Sequence, residues 1–369
     1  MGRDGNSMRN KRVLVAMSGG VDSSVAAALL KERGFEVIGI TMDIYPLPKQ
    51  DCGDSRSCCG RGAIADANRV AAQLKIPHYV INLRKSFQRW VVDDFCKEYA
   101  MGRTPNPCIR CNQYIKFDVL WNRAKKMGAE YLATGHHANI LCDEVSGRFH
   151  LKKGRDSQKD QSYFLYTLTQ DQLARTMMPI GQLTKKEVRE KAKALGLAVH
   201  RRPESQEICF IPDDDYAHFL EQKIPDVFQP GPIVDTEDRV LGHHTGILYF
   251  TIGQRRGLGI AAPHPLYVLD IHPDSHKIVV GKNKDLYKKR LVVSQLNLIH
   301  NSNLSGPTTV AAKIRYKHKE ASALLIPIDK NTARLEFDSP QRAVTPGQSA
   351  VFYDKDLVWG GGIIERTET

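Results

Sequence analysis

The sequence has no long apolar run. Hydrophobic residues make up 41% of its 369 residues, but no stretch approaches the roughly 18 consecutive apolar residues of a membrane-spanning helix. The segment from Met1 to Lys11 also lacks the apolar core of a secretory signal peptide. Both absences argue against a membrane or secreted protein. We therefore expect a cytoplasmic protein with no membrane partner.

Cysteines and acidic residues are also few. Eight cysteines in a chain of this length do not make a disulfide scaffold, and in a reducing compartment they are better interpreted as ligands or nucleophiles. The 41 acidic residues are outnumbered by 53 lysines and arginines, which leaves a formal net charge of +12. A positive balance is consistent with a polyanionic partner, although many basic proteins bind no nucleic acid.

The chain lacks the G-x-x-x-x-G-K-[ST] sequence of P-loop kinases and ATPases. Instead, a short apolar strand breaks into Ser18-Gly19-Gly20 and resumes as an Ala- and Leu-rich helix from Asp22. The backbone N–H groups of such a turn converge on a concavity that suits phosphate oxygens. A Gly-Gly turn alone is also common as an ordinary connection between a strand and a helix, but the flanking serines and Asp22 favour a nucleotide site. The predicted nucleotide-binding residues are Ala16, Met17, Ser18, Gly19, Gly20, Val21, Asp22, Ser23, Met42 and Gly135.

From Lys11 to about Thr134, strand-like and helix-like segments alternate. This alternation predicts a parallel sheet covered by helices on both faces, with ligands at the carboxyl ends of the strands. The predicted strands are Arg12–Met17, Glu36–Met42, His78–Leu83 and Tyr131–Thr134, and the predicted helices are Asp22–Arg33, Ala63–Leu74, Ser86–Tyr99 and Ile115–Met127. Further on, Gln182–Ala198 is predicted as an amphipathic helix whose outward lysines, Lys185 among them, are solvated or face phosphates.

Residues 102–112, with the sequence GRTPNPCIRCN, form a second informative stretch. Two prolines within three residues disfavour helix, so we predict a rigid extended loop that presents Cys108 and Cys111 just before a helix. A thiol near a helix N-terminus and the charges of Arg103 and Arg110 has its thiolate favoured, which makes it nucleophilic. The C-x-x-C spacing also fits half of a zinc knuckle, although no second half follows at the required distance.

The other cysteines are less informative. Cys209 lies in a β-branched and aromatic run after Arg201 and Arg202, a context that fits either a core cysteine or a reactive thiol. Cys52, Cys58 and Cys59 lie in a polar stretch whose spacing matches no strong zinc pattern. We predict a loop without chemistry there.

Beyond Pro212 the chain changes character, and short strands with Gly, Asn and Pro turns predict a small C-terminal β-barrel or sandwich. Arg315 and Tyr316 pair a phosphate-binding group with a base-stacking ring, although the same pair also fits an ordinary strand. The predicted domains are a catalytic α/β domain over residues 1–212, a small central α+β domain over 213–285, and a β-barrel over 286–369.

The motifs resemble one family in combination. Ser18–Ser23 resembles the loop of the ATP pyrophosphatases, which cleave ATP between the α- and β-phosphates and leave AMP on a substrate oxygen. From about Arg12 to Glu365 the ordered motifs resemble those of the bacterial and organellar tRNA-specific 2-thiouridylases. The matching segments are 18–23, 102–111 with 115–117, 133–136, 159–165, 208–210 and 251–259. The resemblance implies an α/β fold: an N-terminal doubly wound parallel sheet like that of the adenine nucleotide alpha hydrolases, a small central α+β domain and a C-terminal β-barrel.

The same resemblance implies an activity. It is the ATP- and Mg²⁺-dependent replacement of the 2-oxygen of the wobble uridine by sulfur in tRNAs for Lys, Glu and Gln. A cysteine desulfurase or a sulfur-relay protein is implied as the sulfur donor. By this resemblance Cys209 carries a persulfide, Cys111 is the nucleophile that completes the transfer, and a transient disulfide joins them. The residues implied to contact the anticodon arm are Asn106, Pro107, Cys108, His136, Lys159, Asp160, Gln161, Arg315, Tyr316 and Gln348.

Alternatives remain open at this point. Some family members have Asp where this chain has Cys108, so Cys108, Cys111 and Cys209 would also suit a [4Fe–4S] cluster with one open iron, as in other tRNA-thiolating pyrophosphatases. An amidating ligase of the pyrophosphatase group shares the glycine loop but needs no paired cysteines. A non-enzymatic RNA-binding protein explains the charge but not the loop, and a zinc-structured protein would unfold when the metal is chelated.

Overall fold

The computed structural model describes residues 10–44, 61–202, 208–211, 215–300 and 304–368. The chain divides into two compact units. The first comprises Met1–Val91, Cys108–Asp214 and Asp356–Val358, and the second comprises Val92–Pro107, Asp215–Lys355 and Trp359–Thr369. Among the described residues, no helix is both long and apolar enough to cross a membrane. Cys52, Cys58 and Cys59 lie outside the described residues, as does the segment 203–207 that precedes Cys209.

The first unit is built on a parallel sheet. Its strands are β1 (Arg12–Ala16), β2 (Glu36–Asp43), β3 (His78–Asn82), β4 (Tyr131–Ala133) and, further along the chain, β7 (Thr176–Met177), in the spatial order β3-β2-β1-β4-β7. In the central strand β1, Val13 pairs with Val37 on one side and Tyr131 on the other. A continuous apolar strand buried on both faces is what such a position requires. The predicted parallel sheet is confirmed.

Between β4 and β7 the chain forms a hairpin of β5 (Ala138–Cys142) and β6 (Phe149–Lys153). The α-helices of the described residues are α1 (Val21–Glu32), α2 (Arg61–Gln73), α3 (Arg84–Phe87), α4 (Asp93–Ala100), α5 (Pro107–Arg110), α6 (Trp121–Lys126), α7 (Gln170–Ala174), α8 (Lys185–Ala194) and α9 (Tyr216–Lys223). Helix α1 packs in one core cluster with β1 and α8, through residues such as Val25, Val15 and Val188. This packing places the start of α8 near the start of α1.

The second unit contains two β structures. Strands β8 (Gly231–Val234), β9 (Val240–His244), β10 (Tyr267–His272) and β11 (Lys277–Gly281) form one sheet in the order β10-β11-β8-β9. The remaining strands are β12 (Tyr287–Leu298), β13 (Thr308–Lys313), β14 (Ala321–Pro327), β15 (Ala333–Arg342), β16 (Ser349–Asp354) and β17 (Leu357–Glu368). They run in the order β12-β15-β14-β13-β16-β17, and an additional β12–β17 pairing closes them into a barrel. The predicted C-terminal barrel is confirmed.

One local prediction is wrong. We predicted that Cys108 and Cys111 lie on an extended loop, but helix α5 begins at Pro107 and a π-helical segment, Cys111–Leu120, follows it directly. Proline is well tolerated in the first turn of a helix, because the N–H that it lacks has no intrahelical partner there. Pro107 therefore starts a helix rather than preventing one, and both thiols lie on that helix.

Candidate active site

The glycine loop depends on close backbone packing. Gly19 has φ +68°, a conformation that favours glycine, and a Cβ added to it would lie 2.3 Å from the carbonyl oxygen of Ala63. A Cβ added to Gly135, which follows β4, would lie 2.5 Å from the backbone nitrogen of Ser23. The loop after β4 therefore packs directly on the first turn of α1. This contact brings Gly135 and the Ser18–Ser23 loop together, as the sequence predicted.

Serine side chains hold the turn in shape. The backbone N–H of Ser18 donates to Oγ of Ser23 at 3.2 Å, and Oγ of Ser24 donates to the carbonyl oxygen of Gly20 at 2.8 Å. Helix α1 begins after Gly20 without a side-chain cap. The first N–H groups of a helix need partners from outside the helix, and an anion is a favourable one. The start of α1 therefore offers backbone N–H groups that no capping side chain takes, an arrangement that suits a phosphate group.

The other predicted nucleotide residues lie beside this loop. Met17 is 2% exposed, and its backbone bridges two strands, because its N–H donates to Ile40 at 2.7 Å and its carbonyl accepts from the Thr41 hydroxyl at 2.8 Å. Val21 and Met42 are buried. The interior packing of these side chains fixes the backbone at the carboxyl ends of β1 and β2.

Asp22 lies at the centre of a charged group at this edge of the sheet. Its carboxylate oxygens accept from Nζ of Lys185 at 2.8 and 2.7 Å, and Nε2 of His137 lies 3.4 Å from Oδ1. Burial by itself raises the pKa of Asp22, but the hydrogen bond from His137 and the charge and hydrogen bonds of Lys185 outweigh it, so the pKa is lowered. Asp22 is therefore ionised at neutral pH, and its charge is balanced by Lys185.

Lys185 corrects the expectation that α8 turns its lysines outward. Its side chain is 11% exposed, and its position at the start of α8 is fixed by a capping box between Thr184 and Glu187. In addition, its backbone N–H donates to the Asp156 carboxylate at 3.0 Å, and this hydrogen bond lowers the pKa of Asp156. The first residue of the helix thus points at the nucleotide loop while the later lysines do not.

Arg202 also contacts the glycine loop. Its Nη1 donates to the carbonyl oxygen of Gly19 at 3.0 Å and forms an ion pair with Asp66 of α2. From α8, Arg189 donates to the carbonyl oxygens of His200 and Arg202 at 2.7 and 3.2 Å. Arg189 and Arg202 thus hold the segment His200–Arg202 against the glycine loop.

His136 is held as a neutral group. Burial is the main cause that lowers its pKa well below the usual value, and the charges of Lys116 and His137 act in the same direction. Its Nδ1 lies 2.8 Å from the hydroxyl of Thr134. An uncharged imidazole can donate or accept a hydrogen bond but adds no positive charge to a site that already holds Lys185.

The segment Asp160–Leu165 links the histidine loop to the thiol-bearing helix. Oε1 of Gln161 accepts from the backbone N–H of His137 at 2.9 Å, and the backbone N–H of Gln161 donates to the carbonyl of His137 at 2.9 Å. Further along, the carbonyl of Phe164 accepts from Nδ2 of Asn112, the residue after Cys111, at 3.0 Å. A continuous set of hydrogen bonds thus runs from the residues around Asp22 to the helix that carries Cys111.

Asp160 is largely committed to this segment. Oδ1 accepts from the backbone N–H groups of Gly154 and Ser162 at 3.0 and 3.1 Å, and Oδ2 accepts from the Ser162 hydroxyl at 2.9 Å. The residue is 6% exposed. The preceding residue, Lys159, is half-buried rather than buried. It is the only positively charged residue among the three adjacent predicted tRNA contacts Lys159, Asp160 and Gln161.

The three candidate thiols have different surroundings. Cys108 is exposed, Cys111 is buried and Cys209 is half-buried. Among the described residues, which include all three cysteines, no group of three or more His, Cys, Asp or Glu side chains has an arrangement that would hold a metal ion. This arrangement does not fit an iron–sulfur cluster, which needs three thiolates on one face of the cluster.

Arg103 does not serve the thiols as predicted. Its guanidinium pairs with Glu98 at 2.7 Å and with Glu365 at 2.5 Å, all within the second unit. In the same unit, Nε2 of Gln348 donates to the carbonyl of Thr104 at 2.8 Å and lies 3.4 Å from that of Pro105. These contacts tie the segment that precedes Asn106 and Pro107 to the barrel strands.

Arg315 likewise has partners in the second unit. Its Nη1 donates to the carbonyl oxygens of Arg342 and Ala343 at 3.2 and 3.4 Å. Arg315 and its neighbour Tyr316 follow strand β13. The guanidinium is thus oriented by the backbone of β15 and its end.

Comparison with known proteins decides the family. The tRNA methyl transferase HUP domain family matches residues 11–213, the tRNA methyl transferase PRC-barrel domain family residues 217–282, and the aminomethyltransferase β-barrel domain family residues 288–364. The chain is 51% identical to the tRNA-specific 2-thiouridylase MnmA of Clostridium perfringens over 358 residues, which cover 97% of this chain and 99% of that protein. The chain belongs to the tRNA-specific 2-thiouridylase family.

Other 2-thiouridylases are similar to the same extent. The enzyme of Acetivibrio thermocellus is 50% identical, with 97% of this chain and 100% of that protein covered, and that of Clostridioides difficile is 49% identical, with 97% and 99% covered. A solved 4-thiouridine synthetase–RNA complex with bound ATP is 18% identical, with a TM-score of 0.35 and 58% of this chain and 51% of that chain covered. A likeness of that size carries no argument. The family assignment rests on the full-length sequence relatives.

The structure thus groups the predicted nucleotide residues and brings two further side chains to Asp22. Lys185 and His137 both contact Asp22, yet neither was predicted as a site residue. The Thr184-x-x-Glu187 pattern marks the start of α8, and this signal would have placed Lys185 on the first turn instead of on the solvated face. His137 follows directly on a predicted site residue, and nothing else in the sequence marks it.

Proposed function

We propose that this chain is a tRNA-uridine 2-sulfurtransferase that activates C2 of the wobble uridine with ATP and replaces its oxygen by sulfur. The observation that carries this proposal is the identity of about 50% to curated tRNA-specific 2-thiouridylases over 97% of the chain. The geometry of the glycine loop and its charged neighbours is consistent with ATP as the activating substrate. Its substrates are the tRNAs for Lys, Glu and Gln, and its place of action is the cytoplasm.

ATP is needed because the C2 carbonyl of uracil is a poor electrophile. Its oxygen attacks the α-phosphate of ATP, pyrophosphate leaves, and the resulting adenylate makes C2 reactive. The Ser18–Ser23 loop and the start of α1 orient the phosphates, and the Lys185 ammonium, which Asp22 holds beside the loop, adds a positive charge near them. His136, held neutral, contributes hydrogen bonding at the same edge of the sheet.

A magnesium ion would enter with ATP. Such ions are held by phosphate oxygens and water together with one or two carboxylates, so the absence of a three-ligand cluster among the described residues is compatible with it. Asp22, 29% exposed and ionised, is the carboxylate that would hold the ion. The ion would neutralise the charge of the leaving pyrophosphate.

Sulfur then enters from a persulfide on Cys209, formed by a cysteine desulfurase or a sulfur-relay protein. The terminal sulfur attacks C2, and AMP leaves with the former O2 of the base. The thiolate of Cys111 next attacks the inner sulfur, Sγ of Cys209, so that a Cys111–Cys209 disulfide forms and the bond to the transferred sulfur breaks. The base leaves as 2-thiouridine after a proton returns to N3, and an external dithiol supplies the two electrons that reduce the disulfide.

The tRNA is held by its anticodon arm. The wobble uridine must leave its stack to reach the loop, and Asn106, Pro107 and Cys108 frame it. Lys159 of the first unit and Arg315, Tyr316 and Gln348 of the second unit are the further residues that contact the arm.

The test is incubation with unmodified tRNA, Mg-ATP and a persulfide donor, followed by mass analysis of the nucleosides. We expect 2-thiouridine, AMP and pyrophosphate in equal amounts. Amidated product, or AMP release that does not require tRNA, would indicate an amidating ligase instead. If 2-thiouridine forms only with anaerobic, iron-loaded protein, the sulfur is transferred through an iron–sulfur cluster and not through a persulfide on Cys209.

A further inference from the structure

One segment contacts the chain next to both predicted sulfur-exchanging thiols. Residues 84–91, made of α3 and the start of the π-helical segment Gln88–Val92, lie in the first unit, as do Cys111 and Cys209. Two aromatic side chains of this segment, Phe87 and Trp90, make the contacts.

Phe87 contacts the residue after Cys209. Its ring meets that of Phe210 edge to face, with centroids 5.6 Å apart and planes at 75°. Both rings are buried, at 0% and 1% exposure. Interlocked buried aromatics have few alternative packings. Phe210 therefore fixes the position from which Cys209 emerges.

Trp90 contacts the helix that carries Cys111. Its ring stacks on that of Tyr114 with centroids 4.7 Å apart and planes at 21°. Tyr114 lies three residues after Cys111 in the same π-helical segment. π-Helical turns are uncommon and occur often at functional sites. The hydrogen bond from Asn112 to the carbonyl of Phe164 also holds this segment.

We propose that Phe87 and Trp90 are positioning residues for the thiol exchange: they set how closely Cys209 and Cys111 approach each other. The proposal rests on the proposed function, because it concerns the attack of the Cys111 thiolate on Sγ of Cys209. Thiol–disulfide exchange needs a near-linear approach of sulfur to sulfur, so a small change in spacing lowers its rate strongly. Phe87 and Trp90 belong to one short helical segment, and a rigid segment transmits a fixed spacing between the two contacts.

The experiment measures the exchange step apart from ATP chemistry. The Trp90→Ala protein is loaded with a persulfide donor and compared with wild type, without tRNA, in the rate of Cys111–Cys209 disulfide formation, followed by mass spectrometry of peptides. In this assay the Cys111 thiolate attacks Sγ of Cys209, and the terminal sulfur of the persulfide leaves as hydrosulfide. We expect about a tenfold slower rate. Pyrophosphate release with tRNA and ATP is expected to stay within twofold, since the stacking partner of Trp90, Tyr114, is not one of the predicted nucleotide residues. Trp90 is 37% exposed, so its loss is expected to leave the fold intact.

Two further variants make the test specific. Trp90→Phe keeps an aromatic face on Tyr114 and is expected to restore most of the rate. Tyr79→Ala removes another exposed ring of the first unit, 51% exposed on β3, and is expected to change nothing. A wild-type exchange rate in Trp90→Ala, an equal loss of pyrophosphate release, or no rescue by Trp90→Phe would overturn the proposal. If the proposed function itself is wrong, the wild-type protein makes no 2-thiouridine. That result is distinct from the three outcomes that overturn the role of Trp90.

Discussion

The Lys185 ammonium donates to both carboxylate oxygens of Asp22, at 2.8 and 2.7 Å, across 163 residues of sequence. The two residues are the first-turn side chains of α8 and α1, and the shared core of these helices keeps them together. A partly buried pair of this kind fixes a negative and a positive group next to the glycine loop. Both charges are then in place before ATP arrives, which is the arrangement that electrostatic preorganisation requires.

Asp22→Ala should abolish adenylation and leave tRNA affinity within a few-fold of wild type. The carboxylate serves the phosphates and their cation, and it makes no contact that the RNA requires. The measurement is pyrophosphate release together with a tRNA binding curve. Asp118→Ala, at an exposed helix position, is the matched control and should behave as wild type. If Asp22→Ala releases pyrophosphate at the wild-type rate, the glycine loop does not take part in adenylation.

Lys185→Met should reduce stability at neutral pH by about 1–2 kcal/mol, because it leaves the Asp22 carboxylate with only a weak partner. The folded pKa of Asp22 is lowered, so its ion pair contributes stability above the unfolded carboxyl pKa of about 3.9, and this contribution is lost as the pH falls through the folded pKa. The difference between the two proteins should therefore be largest above about pH 5 and shrink towards pH 2. Urea unfolding at several pH values measures it, and a difference that does not change with pH would contradict the assignment.

Binding of tRNA should weaken steeply with salt, because phosphate contacts release counterions. Lys159→Ala and Arg315→Ala should each lower the affinity and make the slope of log K against log salt shallower by about 0.7 to 1. Pyrophosphate release at saturating tRNA should not change. Lys126→Ala, at an exposed position on α6, is the control. A flat salt dependence between roughly 50 and 200 mM would exclude Lys159 and Arg315 as contacts to the tRNA phosphates.

Gln348→Ala should slow thiolation about fivefold, because it removes the hydrogen bond that holds the Thr104 carbonyl and costs about 1 kcal/mol in the placement of residues 106–108. Gln348→Glu, which cannot donate to a carbonyl, should be at least as slow. If Gln348 serves only to bind tRNA, the Michaelis constant for tRNA would rise and kcat would stay at the wild-type value. Steady-state kinetics with varied tRNA separates the two cases.

The sequence predicted the elements that depend on local pattern. The strands around Val13 and Val37 were predicted from short β-branched and apolar runs, and the glycine loop was predicted from Ser18–Ser23, a glycine turn with flanking serines and Asp22 directly after an apolar strand. Pro107 shows where local rules misled us: proline disfavours the interior of a helix but suits its first turn. The Asp22–Lys185 pair depends on how α1 and α8 pack, and no local pattern reports a contact made by tertiary packing.

The central claim is that Cys209 and Cys111 exchange sulfur. It is tested most directly in a single turnover with persulfide-loaded protein, unmodified tRNA and Mg-ATP, quenched and analysed for 2-thiouridine and for cysteine-linked peptides. The account predicts one 2-thiouridine for each Cys111–Cys209 disulfide in the wild type, and neither product from Cys111→Ser or Cys209→Ser. Cys108→Ser, whose thiol takes no part in the exchange, should still form both. Full thiolation by both Cys111→Ser and Cys209→Ser, or loss in Cys108→Ser together with bound iron in anaerobic protein, would contradict it.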